Sequence, residues 1–125
     1  MGVHTSPLAE KVIGCAIEVH QSLGPGLLES AYEQCLAHEF AAQGLTFGRQ
    51  VSLPVTYKGV YLDCGYRIDF LIERALLVEL KAVEHVLPIH HAQILTYLKL
   101  LGVRQGLLIN FNVGRLVNGL KSFLL

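Results

Sequence analysis

The stretch YRIDFLIERALLVELKAV, residues 66–83, decides the fold, because it sets charged residues into apolar chain that is rich in strand formers. Residues 66–73 and 76–82 are predicted to be two strands, since β-branched and aromatic residues dominate both segments. Successive side chains of a strand point to opposite faces. Each strand should therefore have one apolar face and one face that carries charge.

The charged residues of this stretch are predicted to lie close together. Glu79 and Lys81 are two residues apart and so share a face of the second strand, while Asp69 lies on the polar face of the first. A hairpin loop with an odd number of residues centred on Arg74 would place Asp69 directly across from Glu79. The register therefore predicts a pair of adjacent carboxylates.

Adjacent carboxylates repel each other and lose solvation when partly buried, so they persist best with a cation between them. The expected ion is Mg²⁺, with Mn²⁺ as a substitute, because Mg²⁺ binds one or two carboxylates and completes its shell with water and substrate phosphate. Lys81 would then neutralise phosphate charge or help to align the attacking water. The simpler interpretation of Glu-x-Lys on a strand, and the commoner one for these residues alone, is a solvated face with a weak ion pair.

Three helices are predicted around this hairpin. Ser6-Pro7 is a typical N-cap and first helical residue, and apolar residues at helical spacing continue to about Leu23. LGPG breaks this helix, and a second amphipathic helix ends near Gly44. A third helix is predicted from Pro88 to about Leu101.

The remaining segments predict strands. From Phe47 to Tyr57 apolar residues alternate, Lys58-Gly59 is typical of a hairpin turn, and residues 60–62 begin the returning strand. Residues 105–110 are a short apolar strand. The predicted order is α-α-β-β-β-β-α-β, followed by an apolar segment that is either a strand or an interface. The fold class is therefore α/β, a mixed β-sheet flanked by helices.

Composition predicts one globular domain over residues 1–125. Hydrophobic residues make up 52% of the chain and charged residues 16%, which favours an ordered core over disorder. Ten basic residues balance ten acidic ones, so binding to nucleic acid or anionic lipid would need a local patch. No apolar run approaches the roughly 20 residues that span a bilayer, and the N-terminus lacks a secretion signal. We therefore expect a cytoplasmic protein with no membrane partner and with reduced, mostly buried cysteines.

Other polar residues could extend the carboxylate pair into a site. Glu29 lies at the border of the apolar stripe of the second helix, whereas Glu33 is predicted to turn further toward solvent. The preference of a helix N-terminus for acidic residues explains Glu29 without any site, and on this evidence alone it is the stronger explanation. Gln93 and Tyr97, spaced i and i+4, share one face of the third helix, although a Gln there is more often a surface residue.

An ordered series of motif residues runs along nearly the whole chain. The motifs are Gly26, Glu29 and Tyr32; Asp69; Glu79-Leu80-Lys81; and Gln93 with Tyr97. This series resembles the GxxExxY proteins of the PD-(D/E)XK nuclease superfamily. Ile68 stands where the superfamily's name has Pro before the Asp, which is a common substitution.

The resemblance implies a restriction-endonuclease-like fold and metal-dependent phosphodiester hydrolysis. The residues that it assigns to the site are Asp69, Glu79, Glu29 and the Leu80 carbonyl at the metal, Lys81 as the catalytic lysine, Gln93, and the supporting or substrate-binding Tyr97 and Tyr32. His90 and His91 precede Gln93 within one helical turn, so at least one should face the cleft. Contact with phosphate or a carboxylate is expected there ahead of a metal-ligand role.

The leading hypothesis is a Mg²⁺-dependent nuclease that acts on nucleic acid, with DNA favoured over RNA. The alternative is a non-catalytic nucleic-acid-binding or protein-interaction module that keeps the same fold, which neutral net charge and small size favour. The apolar KSFLL at residues 121–125 suggests a docking surface for a second copy in a homodimer. A third interpretation is a structural domain with a fortuitous motif.

Overall fold

The computed structural model describes residues 6–125, and over this range the chain forms three α-helices and seven strands. The helices are α1 (Pro7–Leu23), α2 (Glu29–Ala42) and α3 (Pro88–Leu101). The strands are β1 (Phe47–Ser52), β2 (Val55–Tyr57), β3 (Val60–Leu62), β4 (Arg67–Ile72), β5 (Leu76–Lys81), β6 (Gln105–Asn110) and β7 (Leu120–Leu124). A short 3₁₀ helix, Leu116–Gly119, precedes β7. The part of the domain prediction that concerns residues 1–5 lies outside the described residues.

The helices begin and end at the predicted signals. The Ser6 side chain caps α1 by accepting the N–H of Ala9 at 3.2 Å, and Pro7 takes the first helical position. In α3, Pro88 opens the helix and Gly102 closes it with φ 70° and ψ 29°, the left-handed conformation that glycine adopts without strain. None of the described helices is long and apolar enough to cross a bilayer.

A mixed five-stranded sheet in the order β1-β4-β5-β6-β7 forms the centre of the described region. β5 and β6 are parallel, and the other neighbouring pairs are antiparallel. α3 is the crossover that a parallel pair requires. It approaches β6 closely at Gly106, where a Cβ would lie 3.3 Å from Cγ2 of Ile94. The predicted fold class, a mixed sheet flanked by helices, is confirmed.

Two strand predictions need correction. The predicted strand from Phe47 to Tyr57 breaks at Pro54, so that β1 joins the main sheet while β2 and β3 form a separate hairpin. The strand ends there because proline has no N–H to donate to a sheet ladder. The preceding residue, Leu53, donates its N–H to the Tyr66 carbonyl at 3.0 Å. The apolar C-terminal segment is a strand, β7, paired with β6.

The cysteines only partly match their prediction. All three are free thiols, and Cys15 is buried, Cys35 is half-buried and Cys64 is exposed. Thiols that are mostly buried were expected, so Cys64 is the exception. It lies in the turn region between β3 and β4, away from both apolar clusters of the described chain.

The two faces of the sheet carry different layers. α1 and α2 cover one face, where Tyr32, Leu36 and Phe40 join one apolar cluster with Phe70 and Val78. On the opposite face, Ile94 and Leu98 of α3 form a smaller cluster with Leu77 and Leu108. The prediction of one core face and one charged face is therefore too simple. Both faces are covered, and five of the six β5 residues are buried.

Candidate active site

The β4–β5 hairpin sets the register on which the site depends. Phe70 pairs with Val78 and Ile72 with Leu76, around a turn of residues 73–75. The same register, continued by one residue, places Asp69 opposite Glu79. The N–H of Asp69 donates to Oε2 of Glu79 at 2.7 Å, so this carboxylate takes the place of a backbone acceptor. The predicted register is confirmed.

Asp69 also bonds back to the neighbouring strand. Its Oδ2 accepts the N–H of Leu80 at 2.8 Å. Because the N–H and C=O of one strand residue point toward the same neighbour, the Leu80 carbonyl faces β4 as well. The two carboxylates and this carbonyl therefore lie together where β4 begins and β5 ends.

The carboxylate pair is buried enough to change its protonation. Glu79 is 9% exposed, and Asp69 is half-buried. Burial, followed by the charge of Asp69, raises the pKa of Glu79 to about 8. Burial likewise raises the pKa of Asp69, against the hydrogen bonds from Leu80 and Gln50. Near neutral pH the pair therefore carries fewer than two negative charges.

The donor set fits a hard divalent cation. Two carboxylates that are held close together lose their repulsion when a cation lies between them. Within residues 6–125, no group of three or more His, Cys, Asp or Glu side chains is arranged to hold a metal. Asp69 and Glu79 are brought together by their hydrogen bonds, and a metal role for Glu29 stays a prediction. A cation here would rest on two carboxylates, with backbone and solvent or substrate oxygens completing its shell.

Lys81 lies beside the pair, as its position in β5 predicts. It is half-buried at the last residue of the strand, on the same face as Glu79. Its positive charge lowers the pKa of both Asp69 and Glu79, although burial outweighs this effect. The ammonium group is therefore within electrostatic reach of both carboxylates.

His90 faces the site, whereas His91 turns away. Nδ1 of His90 accepts the N–H of Leu87 at 3.0 Å, so the ring proton of the neutral form resides on Nε2. Burial, Lys81 and His91 lower the pKa of His90, and Glu29 opposes them. His91 instead packs edge-on against Phe123, with ring centroids 5.5 Å apart. His90 is therefore the histidine of the two that presents a ring N–H toward the site.

The Gly-x-x-Glu-x-x-Tyr segment joins the loop between α1 and α2 to the first turn of α2. Tyr32 is fully buried, and its hydroxyl donates to the Gly24 carbonyl at 2.6 Å and accepts the N–H of Leu27 at 3.2 Å. Gly26 adopts φ 100°, which favours glycine. Glu29 follows as the exposed first residue of α2. In these contacts Tyr32 supports the loop and lies in the core, which does not favour its predicted substrate-binding role.

Gln93 and Tyr97 meet near the carboxylates on the α3 side. Both residues line a groove together with Tyr66, whose ring centroid lies 6.4 Å from that of Tyr97. Burial raises the pKa of Tyr97, and the charges of Glu79, Tyr66 and Asp69 add to the shift. The predicted convergence of this helix face on the carboxylate pair therefore has electrostatic support.

Sequence reasoning missed Gln50, which contacts the site directly. Its Nε2 donates to Oδ1 of Asp69 at 3.2 Å and to Oε1 of Glu33 at 2.5 Å. The residue lies in the middle of β1 with φ 52°, a left-handed conformation that side chains other than glycine adopt at a cost. Gln50 is also left out of the β1–β4 pairing, between Arg49 and Val51, so the strand is locally interrupted beside Asp69.

Glu33 corrects the predicted order of the α2 acids. Its side chain is 14% exposed and forms an ion pair with Nε of Arg49 at 2.8 Å, whereas Glu29 is exposed. The charge of Glu33 also contributes to the raised pKa of Asp69. The i, i+4 spacing to Glu29 was a usable signal, because it places both acids on one helix face. The contacts of Glu33 with Arg49 and Gln50 of β1 could not be predicted, because they depend on the position of β1 beside β4 in the sheet.

The fold and the carboxylate pair together define a nuclease-like α/β domain. A family model described as the PD-(D/E)XK nuclease superfamily matches residues 6–123, and the chain belongs to this superfamily. No curated protein and no solved structure matches the chain. The resemblance is thus confirmed at the level of the superfamily.

Proposed function

We propose that the protein is a divalent-metal-dependent nuclease whose site is centred on Asp69 and Glu79. The observation that carries the proposal is the buried pair itself, in which each carboxylate accepts a backbone N–H of the opposite strand. A purely structural role does not explain two adjacent acids at this position. Their mutual repulsion costs free energy when no cation lies between them. Membership of a nuclease superfamily supports the same reaction class.

In the proposed mechanism Asp69, Glu79 and the Leu80 carbonyl would hold Mg²⁺ or Mn²⁺. A bound ion of this kind supplies Lewis acidity toward phosphate and a more acidic bound water. Lys81, on the same strand face as Glu79, stabilises the charge that develops on the phosphate oxygens. His90 presents its Nε2–H as a further donor for a phosphate oxygen.

Several finer expectations form part of the proposal. The preferred substrate is DNA ahead of RNA, the working state is a homodimer in the cytoplasm, and the nearest subgroup is the GxxExxY proteins. Support for the subgroup comes from the loop before α2, where Gly26 has φ 100° and the Tyr32 hydroxyl bonds Gly24 and Leu27. The exposed β7 residue Leu124 and its neighbour Leu125 support the dimer, because they leave apolar surface at the sheet edge.

Cleavage of labelled single- and double-stranded DNA and RNA in Mg²⁺ or Mn²⁺ tests the proposal. We expect Glu79→Gln to lose metal-dependent cleavage, and Lys81→Met to reduce it by about 10²–10³-fold. Glu84→Gln and Lys99→Met are matched controls, since both native residues are exposed and lie outside the carboxylate pair. Both controls should cleave like the wild type.

Two results would contradict the proposal. Full metal-dependent cleavage by Glu79→Gln, with native folding by circular dichroism, would remove Glu79 from the site. Nucleic-acid binding by the wild type without cleavage in either metal would instead favour the non-catalytic binding module.

A further inference from the structure

A groove lined by tyrosines adjoins the carboxylate pair. It has a volume of about 340 Å³ and runs between α3 and the chain that leads from β1 into β2. Its lining includes Leu53, Val55, Tyr66, Ile89, Gln93 and Tyr97, and we refer to it as the tyrosine groove. A pocket of this size, mostly apolar and with few polar groups, is typical of a small-ligand or base site.

The backbone fixes the walls of the tyrosine groove. Leu53 is 2% exposed, and its N–H donates to the Tyr66 carbonyl at 3.0 Å. Tyr66 itself is 50% exposed, so its ring stands at the rim. Tyr97 packs against the apolar cluster beneath α3, and the two rings are tilted by 52°. The rings therefore flank the groove without stacking on each other.

The tyrosine groove lies close to the proposed active site. Tyr66 precedes Asp69 by three residues, which is about 10 Å along an extended chain. Tyr97, on the other wall, lies within electrostatic reach of both Glu79 and Asp69. The amide of Gln93 adds a donor and an acceptor to the otherwise apolar lining.

The charge distribution indicates which part of a nucleic acid this surface can hold. The chain has ten basic and ten acidic residues, and the arginines of β1 and β4 already have partners, Arg49 with Glu33 and Arg67 with the Ser52 hydroxyl. Affinity for phosphate alone should therefore be weak. Aromatic side chains stack on the faces of unpaired bases regardless of sequence, and these faces are hidden within a duplex.

We propose that the tyrosine groove binds an unpaired nucleobase of the substrate strand beside the scissile phosphate. The inference rests on the proposed function and narrows it to single-stranded or locally opened nucleic acid. Tyr66 supplies the exposed stacking ring, and Gln93 contacts the base edge. Of the five tyrosines of the chain, Tyr66 and Tyr97 line the groove. Tyr57 and Tyr61 belong to the exposed β2–β3 hairpin.

Fluorescence anisotropy in EDTA tests the groove without cleavage. The probes are a labelled single-stranded oligothymidylate, an abasic oligomer of the same length and charge, and a blunt duplex. We expect the wild type to bind the oligothymidylate about ten-fold more tightly than the abasic oligomer or the duplex. Tyr66→Ala should remove most of this ratio, while Tyr66→Phe, which keeps the ring, should retain it.

Tyr61→Ala is the matched control, because Tyr61 is also an exposed tyrosine but lies on the hairpin. It should leave the ratio unchanged. Equal binding of the base-bearing and abasic oligomers, or a ratio that survives in Tyr66→Ala, would overturn the inference. A role of the groove in self-association would also overturn it. In that case sedimentation equilibrium would show a wild-type dimer that Tyr66→Ala dissociates, and the binding ratio would not change.

A cleavage assay in Mn²⁺ separates this inference from the proposed function. If the wild type and Tyr66→Ala cleave the oligothymidylate with equal KM, the nuclease stands and the base site fails. If the wild type neither binds nor cleaves any probe, both fail. A higher KM for Tyr66→Ala on the oligothymidylate, with unchanged cleavage of the abasic oligomer, is the result expected for a base site.

Discussion

The same two strands, β4 and β5, contribute to both faces of the sheet, yet the two faces serve different purposes. On the α1–α2 face, Phe70 lies fully buried among aromatic and aliphatic side chains. On the α3 face, Leu77 is buried under the helix. Asp69 and Glu79 lie further along the two strands, where Gln50 links Asp69 to Glu33 of α2. Stability is therefore concentrated on one face, and the candidate chemistry on the edge of the other.

The largest effect on stability is expected on the α1–α2 face. Phe70 packs edge-on against Phe40 and Phe47, with ring centroids 5.0 and 5.7 Å away. Phe70→Ala should therefore lower the free energy of unfolding by about 3–5 kcal/mol, measured by urea denaturation. Tyr61→Ala, at an exposed ring, should change it by less than about 0.5 kcal/mol. Similar losses in both variants would erase the contrast between core and periphery.

On the α3 face, ionisation of Glu79 should instead destabilise the metal-free protein as pH rises. The folded pKa of Glu79, about 8, lies above its ordinary value of 4.5. The stabilisation from its protonated form is thus complete below about pH 4.5 and disappears as pH rises through about 8. Each pKa unit corresponds to about 1.4 kcal/mol, and after a discount for solvent at this edge the loss should be about 3 kcal/mol.

Unfolding in urea with EDTA at several pH values measures this loss, and Glu79→Gln isolates it. The variant cannot ionise at position 79, so its stability should fall less with pH, and above about pH 8 it should exceed that of the wild type. Saturating Mg²⁺ should restore the wild type at high pH and leave Glu79→Gln unchanged. Parallel pH curves for the two proteins would argue against a buried, proton-sharing pair.

The contrast between the faces also explains what the sequence could predict. Strand alternation and a turn centred on Arg74 were enough to place Asp69 opposite Glu79, because hairpin register is a local property. Helix ends at Ser6 and Gly102 were equally local. Gln50 depends on β1 pairing with β4 across an intervening hairpin, and nothing in the local sequence specifies that pairing.

The loop before α2 offers a smaller test on the stable face. Tyr32→Phe keeps the ring that stacks on Phe111 at 4.4 Å but removes the hydroxyl that bonds Gly24 and Leu27. The free energy of unfolding should fall by about 1–2 kcal/mol, because two backbone groups lose a partner. Cleavage should fall only if loosening the loop displaces Glu29, the first residue of α2, from the site. A complete loss of cleavage in a stably folded variant would instead give the Tyr32 hydroxyl a direct role.

The smallest expected effect distinguishes backbone strain from side-chain positioning at Gln50. Glycine adopts φ 52° without strain, so Gln50→Gly should be about 1 kcal/mol more stable than Gln50→Ala. Both variants lose the hydrogen bond to Asp69, and both should bind Mn²⁺ about ten-fold more weakly by calorimetric titration. Gln34→Ala, at an exposed position on α2, is the control. If only Gln50→Ala lost affinity, the left-handed backbone would matter to the site and the amide would not; equal losses would identify the amide as the group that holds Asp69 in place.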